Sequence, residues 1–591
     1  MTPGLIRIFS KLLLLHLLLL PCFFGRAQIN LRFEQNQTLA YHEVIADYTW
    51  LDSTYETARL IEYGPKDIGK PLHLFVISAD KQFDPAKLRH SGKRIILIMN
   101  GIHPGESAGV DASIRFADEL LRNVNNIAGY LENTVVCIIP VYNISGLLVR
   151  SHYNRVHQNG PEETGFRGSA QNLDLNRDFI KADSENTQSF YRLFQEWQPD
   201  IFLDTHVTNG SDHQYTITLI ATNTQKIQPA IGQYMEKTFI PGLYRLMAET
   251  PYEMIPYVDY FIETPEQGIT VQDDLPRYST GYTSLFNTIG FLCEIHSCKP
   301  FPEQVRSVYH FMVSLLALTH DQAATIGSIR EKAIAETCRQ DSFALQWELD
   351  STRWDSITFK GYARKLKTGE LTGHEWYYYD QSQPYTKVIP YYWYFKPVNV
   401  VKKPSAYILP QAWESVIERL QWNIIKMERL TNDTIISVEA YYITDITFAE
   451  RPSNGHFKHE DIKVRSYIQD IQFYKGDYII PVSQPGNRYI VETLEPDGPD
   501  SFLSWNFFDG ILDRREYYSP EDFEKIAVEL LETYPELKTA FEQRKNEDPG
   551  FSADYAGQLQ FVYLNSPYAE KSWRRYPVYR MENPGVKAGT E

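Results

Sequence analysis

The chain has 591 residues, a formal net charge of −17 and 43% hydrophobic residues. This length predicts two to four domains, and the hydrophobic content excludes a largely disordered chain. The acidic charge, without a basic run that could neutralise phosphates, argues against a nucleic-acid partner.

The N-terminus predicts a signal peptide of residues 1–27. Arg7 and Lys11 precede an apolar run over residues 12–24, and Gly-Arg-Ala then offers the small residues that a signal peptidase recognises. The run is too short for a membrane span. We therefore expect an exported protein, periplasmic or secreted, whose mature chain starts at Gln28 and has no integral membrane span.

Strands and helices alternate from residue 28 to about residue 340. Apolar runs at residues 95–99 and 134–141, and again from residue 201, predict strands that are buried on both faces. Apolar residues at helical spacing after Glu106 predict a helix between the first two strands. The alternation predicts an α/β domain of residues 28–340, with a mostly parallel (mixed) sheet and helices on both faces.

The composition changes near residue 341. Short runs rich in Tyr, Trp, Thr and Val, separated by turns, predict a smaller β-rich domain over residues 341–515. Its aromatic residues favour a β-sheet core over a glycan-binding face, which stays the alternative. A helical pattern at residues 520–544 belongs to a helical and extended C-terminal segment of residues 516–591.

A candidate metal site follows the predicted strand of residues 95–99. His103 and Glu106, in His-Pro-Gly-Glu, lie at its C-terminal end, where open α/β sheets bind their ligands. Zinc binds imidazole nitrogens and carboxylates, and a catalytic zinc needs three protein ligands and an open position. Because the tetrapeptide alone is a weak signal, the prediction requires a third ligand elsewhere.

Two further predicted strands end in residues of the same kinds. His206 ends one, and Asp204 on the same face is placed to orient its ring nitrogen. If the strands are parallel, His206 joins His103 and Glu106 in a site for one zinc ion per chain. Glu294 ends the other strand and is free to take a proton from a zinc-bound water. Taken singly, each is as well explained as a packed or solvated side chain.

The chain resembles the M14 family of zinc carboxypeptidases over about residues 60–325. The resemblance is carried by four motifs: HPGE at residues 103–106, LDLNRDF at residues 173–179, LDTH at residues 203–206 and LCEIHS at residues 292–297. It implies that zinc is bound by His103, Glu106 and His206, and that Glu294 is the general base and acid.

The resemblance also implies how a substrate is held. Asn176 and Arg177 match the family's pair that binds the free carboxylate of the substrate. An upstream arginine that polarises the scissile carbonyl corresponds to Arg155, with Arg150 and Arg167 as rivals in the same loop.

Two departures from the family pattern stand out. Asp178 occupies a position where the family usually has Asn, and its like charge is expected to weaken carboxylate binding. The family's substrate-capping tyrosine has no clear counterpart, and Tyr278 and Tyr282 are the nearest candidates.

We therefore expect an exported zinc metallocarboxypeptidase that hydrolyses C-terminal peptide bonds of a peptide or small amide substrate. One alternative is a zinc-dependent N-acyl amino acid deacylase on the same scaffold. Another is a non-catalytic exported binding protein, against which the intact Glu294 argues. The sequence carries no indication of the oligomeric state.

Overall fold

A computed structural model describes residues 29–208, 210–258 and 265–582. The predicted signal peptide of residues 1–27 lies outside these described residues. Within them, no helix is both long and apolar enough to cross a membrane.

The first part of the chain alternates strands and helices. Its strands are β1 (Ala58–Asp67), β2 (Lys70–Ile77), β3 (Arg94–Met99), β4 (Thr134–Ile139), β5 (Ile201–Thr208), β6 (Ile217–Ala221), β7 (Met254–Pro256), β8 (Ile269–Thr270) and β9 (Ile289–His296). Its helices are α1 (Tyr41–Thr54), α2 (Pro85–His90), α3 (Ala108–Leu121), α4 (Ile144–Leu148), α5 (Glu185–Trp197), α6 (Pro229–Tyr234), α7 (Ile240–Ala248), α8 (Ser279–Ser284), α9 (Phe301–Asp321) and α10 (Ala323–Arg339). A π-helical turn, Met235–Phe239, joins α6 to α7.

Eight of these strands form one mixed sheet in the order β1-β2-β4-β3-β5-β9-β6-β7. The central strands β4, β3, β5 and β9 are parallel to one another, whereas β2 and β6 flank them in antiparallel pairs. The predicted α/β fold with a mixed sheet is confirmed. Every residue of β4 and β5 is buried, which explains why these strands are visible as apolar runs.

Two cores cover the two faces of this sheet. One contains α1, α3, α7 and α9, with Val44, Ile114 and Phe311 among its buried residues. The other contains α5 together with residues from beyond α10, such as Tyr407 and Trp505. The region after α10 therefore completes the second face of the sheet.

This later region is rich in strands, as expected. Its strands are β10 (Ser342–Leu349), β11 (Asp355–Thr368), β12 (Glu375–Tyr392), β13 (Phe395–Lys402), β14 (Ala406–Leu409), β15 (Glu428–Arg429), β16 (Thr434–Phe448), β17 (His459–Phe473), β18 (Tyr478–Pro481) and β19 (Tyr579–Met581). Its helices are α11 (Glu414–Trp422), α12 (Asn487–Leu494), α13 (Pro520–Thr533), α14 (Pro535–Glu547), α15 (Pro549–Ala553) and α16 (Tyr555–Leu564).

The strands of the later region form three sheets. Strand β10 pairs with β13, the β11–β12 hairpin pairs with β8 of the first part, and six strands form a sheet in the order β15-β18-β14-β19-β16-β17. Helices α13 to α16 pack around a small core of their own.

Helix α3 begins directly after the predicted zinc-binding loop and packs closely on β5. Gly109 permits this contact, because a Cβ atom there would lie 2.0 Å from Thr205 Oγ1 and 2.5 Å from Thr205 Cβ. Thr205 precedes His206 on β5, so the missing side chain of Gly109 sets the spacing between two parts of the candidate site.

We predict that Gly109→Ala destabilises the protein by about 1–3 kcal/mol, because the added methyl group overpacks the contact between α3 and β5. Urea denaturation measures the change. The control is Gly129→Ala, since a Cβ atom at that position meets no atom within 4 Å. Equal stability of the Gly109 variant and the wild type would contradict this account of the packing.

Candidate active site

The parallel strands β3, β5 and β9 bring the predicted residues to one edge of the sheet. His206 on β5 and Glu294 on β9 are direct neighbours in the strand register, and His103 and Glu106 lie in the loop after β3. A cavity of about 250 Å³ opens at this edge, and we call it the site cavity. All seven residues predicted for the site line it: His103, Glu106, Arg155, Asn176, Arg177, His206 and Glu294.

Close packing explains the two middle residues of the His-Pro-Gly-Glu loop, Pro104 and Gly105. The Glu106 amide donates to the His103 carbonyl at 2.8 Å and closes the turn. A Cβ atom on Gly105 would lie 2.6 Å from Arg155 Cγ, and one on Gly165 would lie 2.5 Å from Pro104 Cβ. Gly105 therefore lets Arg155 reach the site cavity beside Glu106.

Three side chains form a compact set of metal donors. His103, Glu106 and His206 are each 3% exposed, and one donor atom from each lies within 4.8 Å of the other two. Glu106 Oε1 lies 3.2 Å from His103 Nδ1, and its Oε2 lies 3.1 Å from His206 Nδ1. His103 Nδ1 is buried, and no hydrogen bond to it forms within the described part of the chain. Two imidazoles and one carboxylate are a donor set that suits zinc.

Carboxylates also face the opposite nitrogen of each imidazole. His103 Nε2 lies 2.9 Å from Asp174 Oδ1 in a hydrogen bond, and His206 Nε2 lies 2.9 Å from Asp204 Oδ2. Such partners fix the ring orientation of metal-binding histidines. Asp204 has the position expected from the sequence. Asp174 was missed, although it belongs to the LDLNRDF motif.

Electrostatics hold Glu106 charged in this buried place. Burial alone would raise the pKa of its carboxyl, but Arg155 and His103 outweigh burial and hold that pKa well below its usual range. Burial likewise opposes the charged form of His206, yet the Asp204 and Glu106 carboxylates raise its pKa well above the usual value. Glu106 is therefore held as a carboxylate, which is the form that binds a metal ion.

Glu294 has a different environment from Glu106. Burial raises the pKa of its carboxyl to about 8, and the Glu106 charge adds to this shift while His206 and Arg155 oppose it. Its Oε2 atom is buried, and no hydrogen bond to it forms within the described residues. A carboxyl with a raised pKa beside a metal-binding set is suited to general acid–base chemistry.

The three candidate arginines have separate positions. Arg155 is buried in the site cavity, where Nη1 lies 2.9 Å from Glu106 Oε1 and Nη2 donates to the Val207 carbonyl at 2.8 Å. Arg167 lines the same cavity, but its side chain is 43% exposed. Arg150 does not line it.

The guanidiniums of the two rivals have structural partners. Arg150 donates to the backbone carbonyls of Leu39 and Thr38, at 3.0 and 3.2 Å. Arg167 donates from Nη2 to Asp174 Oδ2 at 2.9 Å. Arg150 therefore links loops to each other, whereas Arg167 supports the carboxylate that orients His103.

Asn176 and Arg177 also line the site cavity. Arg177 Nη1 donates to the Asn176 carbonyl at 2.8 Å, and its Cζ lies 4.6 Å from the centre of the Tyr278 ring. Asn176 is buried, and its Oδ1 accepts a hydrogen bond from the Ser279 amide at 3.3 Å. The Arg177 guanidinium is thus oriented on both sides.

The position of Asp178 does not support the expected weakening of carboxylate binding by its charge. Asp178 is fully buried, and its carboxylate accepts hydrogen bonds from the amides of Asp183 and Ser184 at 3.0 and 3.1 Å. Lys181 Nζ lies 3.5 Å away. The charge is directed into the turn before α5 and does not face the site cavity.

The two candidate tyrosines are also distinguished. Tyr278 lines the site cavity. Tyr282 is fully buried, stacks on Tyr191 with ring centres 4.9 Å apart, and donates from its hydroxyl to Asn423 Oδ1 at 2.6 Å. Tyr278 is therefore the one of the two that can contact a substrate.

Several residues of the site cavity were not predicted. Tyr257, Gln272, Asp273, Asp274 and Thr280 also line it. Burial raises the pKa of Asp274 to about 6, and its carboxylate accepts a hydrogen bond from the Thr280 hydroxyl at 2.9 Å. No sequence motif marks these residues.

Two residues from the region after α10 accept hydrogen bonds from loops of the site. Asn454, in the β16–β17 hairpin, accepts a hydrogen bond on Oδ1 from the Asp174 amide at 3.1 Å. Asp500 Oδ2 accepts from the amide and the Nε of Arg277 at 2.9 and 3.2 Å. Arg277 precedes Tyr278 in the sequence. The loops that carry Asp174 and Tyr278 are therefore fixed by the β-rich region.

Comparison with known proteins finds similarity to carboxypeptidases. A family model described as zinc carboxypeptidase, Peptidase_M14, matches residues 50–209. "Carboxypeptidase 2" of Trichophyton rubrum is 22% identical over 431 residues, which are 70% of this chain and 74% of that protein. "Carboxypeptidase 2" of Trichophyton tonsurans is 21% identical over 453 residues, which are 74% of this chain and 78% of that protein.

Solved structures of carboxypeptidases also align with part of the chain. Carboxypeptidase A from Helicoverpa armigera has a TM-score of 0.36 at 14% identity, over 54% of this chain and 81% of that one. A putative carboxypeptidase A from Shewanella denitrificans has a TM-score of 0.35 at 16% identity, over 49% of this chain and 69% of that one.

The family match and the geometry concern the same residues. The matched segment, residues 50–209, contains His103, Glu106 and His206 and also the Asn176–Arg177 pair. Glu294 follows in the next strand of the sheet after β5. The α/β part of this chain is therefore similar to the M14 family of zinc carboxypeptidases in the segment that carries these residues.

Proposed function

We propose that this protein is a zinc-dependent carboxypeptidase that hydrolyses the C-terminal peptide bond of its substrate. The main support is the set of three metal donors, His103, Glu106 and His206, in the same cavity as Glu294 and Arg177. A metal donor set, a proton acceptor and a carboxylate-binding cation are the groups that this reaction needs.

Zinc would be held by His103, Glu106 and His206. His103 Nδ1 is buried and forms no hydrogen bond within the described residues, and together with the negative charge of Glu106 it fits a cation at this place. When bound, zinc supplies a water of lowered pKa and polarises the scissile carbonyl. Asp174 and Asp204 keep the two imidazoles turned toward the site.

Arg177 would recognise the free α-carboxylate of the substrate. A guanidinium binds a carboxylate through two parallel hydrogen bonds, which a neutral amide cannot replace. Within the described residues, only Nη1 of Arg177 is used in a hydrogen bond. Tyr278 packs on its face and limits the directions in which it can point. Asn176, its neighbour, forms the adjacent wall.

Glu294 would move the proton. Its pKa of about 8 is near the pH at which a group can both accept a proton and return it to the leaving amine. Arg155 lies beside Glu106 in the same cavity and would stabilise the negative charge that develops on the carbonyl oxygen. In this proposal Glu294 and Arg155 therefore have separate roles in the same cavity.

We also propose that the chain is exported. The support is the basic start and apolar run within residues 1–27 of the sequence.

We predict that the purified protein binds about one zinc ion per chain and that His206→Ala loses most of it, since one of three ligands is removed. Metal analysis after dialysis measures the zinc content. His374→Ala, an exposed histidine in a turn of the β-rich region, is the control. Full zinc retention by the His206 variant would refute the ligand assignment.

We predict that Glu294 and Arg177 fail in different ways. Glu294→Gln should lower kcat by about 10²–10⁴-fold with zinc still bound, because it removes the proton acceptor and no metal ligand. Arg177→Ala should mainly raise KM for free-acid peptides, because its contact is the same in the ground and transition states. Steady-state kinetics with paired peptides, one a free acid and one C-terminally amidated, measures both effects.

The same peptide pair separates the alternatives. A carboxypeptidase hydrolyses the free acid much faster than the amide, whereas an N-acyl amino acid deacylase hydrolyses neither peptide of three or more residues. A non-catalytic binding protein would hold zinc without turnover. Equal turnover of the acid and the amide by the wild type would end the carboxypeptidase proposal.

We predict that Asn454→Gly lowers the affinity for zinc about two- to tenfold. Removing a residue that hydrogen-bonds a metal ligand directly, as Asp174 does, typically lowers it about 10–100-fold. Asn454 has a φ of 50°, so glycine keeps the backbone conformation and removes the side-chain hydrogen bonds to the Asp174 amide and to Ser453 Oγ. Competition with a chelator measures the affinity. Asn125→Gly, at a φ of 55° in a distant turn, is the control. Identical affinities would show that the hairpin does not support the zinc site.

A further inference from the structure

We propose that a second cavity, next to the site cavity, binds a large apolar group of the substrate and gives the enzyme a preference for substrates that carry one. The proposal rests on the carboxypeptidase function and deepens it. The second cavity has a volume of about 430 Å³, a size typical of ligand pockets. We call it the aromatic cavity.

The aromatic cavity lies between the α/β part and the β-rich region. One side is formed by β6 and the helical stretch that contains Ile240 and Tyr244. The other side is formed by Ile357 of β11, Tyr391 of β12 and the following Trp393. Its lining is mainly apolar and aromatic, unlike the charged lining of the site cavity. All of its lining residues lie beyond the segment matched by the family model.

Its aromatic side chains are held in fixed positions. Trp393 Nε1 donates to Asp355 Oδ2 at 2.6 Å, and the Tyr394 hydroxyl donates to the same oxygen at 3.1 Å. Arg353 lies over the Tyr394 ring, with its Cζ 3.9 Å from the ring centre. Because these polar edges are bonded to one exposed carboxylate, the rings stay in place without a ligand, which lowers the entropic cost of binding.

The cavity also retains polar groups that the protein does not use. Tyr244 and Tyr391 both line it, and the structure shows no hydrogen bond from either hydroxyl within its described residues. Aromatic walls with a few free hydroxyls favour a large apolar group, such as an aromatic side chain, over a charged one.

The two cavities share a wall. Ile220, Tyr257 and Gln272 line both of them. The Tyr257 hydroxyl lies 2.8 Å from Thr208 Oγ1, two residues after His206 on β5, so the wall is joined to the strand that carries a metal donor. One substrate chain can therefore place its carboxylate and scissile bond in the site cavity and an apolar side chain in the aromatic cavity.

The test uses five acylated tetrapeptides: one of alanine only, and four with a single phenylalanine at each position in turn. We expect one position to raise kcat/KM about tenfold or more over the all-alanine peptide, which is the effect of burying one aromatic side chain. The position that gives the increase identifies the residue that reaches the aromatic cavity.

Two variants connect this preference to the cavity. Trp393→Ala removes an aromatic wall, and Ala221→Phe fills the space with a side chain from β6. Each should lower kcat/KM for the preferred phenylalanine peptide about tenfold more than for the all-alanine peptide, mainly through KM. Trp376→Ala, a half-exposed tryptophan on β12 outside the cavity, should keep the preference. A wild type without a preference, or a preference kept by both variants, would overturn the proposal.

A binding measurement separates this proposal from the proposed function. Calorimetry with the Glu294→Gln protein compares the affinity for the preferred phenylalanine peptide with that for the all-alanine peptide, without turnover. A difference in affinity that disappears with Trp393→Ala supports the cavity even if the wild type proves inactive. Active wild type without a Trp393-dependent difference refutes the cavity and leaves the carboxypeptidase function intact.

Discussion

The buried carboxylate of Glu106 is shared between two imidazoles and two guanidiniums at the edge of the sheet. Its oxygens contact the side chains of His103, His206, Arg155 and Arg167. One oxygen also accepts a hydrogen bond from the Val207 amide at 2.8 Å. An isolated carboxylate at this depth would cost several kcal/mol. These contacts offset that cost. They also fix the geometry of the site, because the partners come from the loop after β3, from β5 and from the loop that contains Arg155 and Arg167. The same contacts of Glu106 therefore stabilise the edge of the sheet and place the candidate metal donors.

Local patterns in the sequence were sufficient for the sheet and its edge. Strands β4 and β5 are buried on both faces, so they appear as apolar runs, and parallel strands bring His206 and Glu294 into register without further information. Asn454 could not be predicted in this way, because its contact with Asp174 spans 280 residues. The role of Asp178 was misjudged for the opposite reason, because closeness in the sequence suggested an interaction. Asp178 neighbours Arg177 in the sequence, but the turn before α5 directs its carboxylate to Ser184.

The β-rich region is part of the candidate site as well as a cover for the sheet. It supplies Tyr407 and Trp505 to the core on the second face, and its Asn454 and Asp500 hold the loops of Asp174 and Tyr278. Loops with many long-range partners open less readily than loops held only by their own turns. The loops of Asp174 and Tyr278 are therefore held by residues that lie far in the sequence from the motifs with the candidate metal donors.

Strand β19 lies in the middle of the six-stranded sheet, between β14 and β16. It is the last strand of that sheet in the sequence. The β16–β17 pair is nevertheless joined to the other strands of the sheet through β19. During synthesis from the N-terminus, domains generally fold in the order in which they emerge. Here the hairpin that carries Asn454 cannot take its place until residues 579–581 have emerged from the ribosome. The loop of Asp174 therefore gains its contact with Asn454 late in translation, after the whole α/β part has been made.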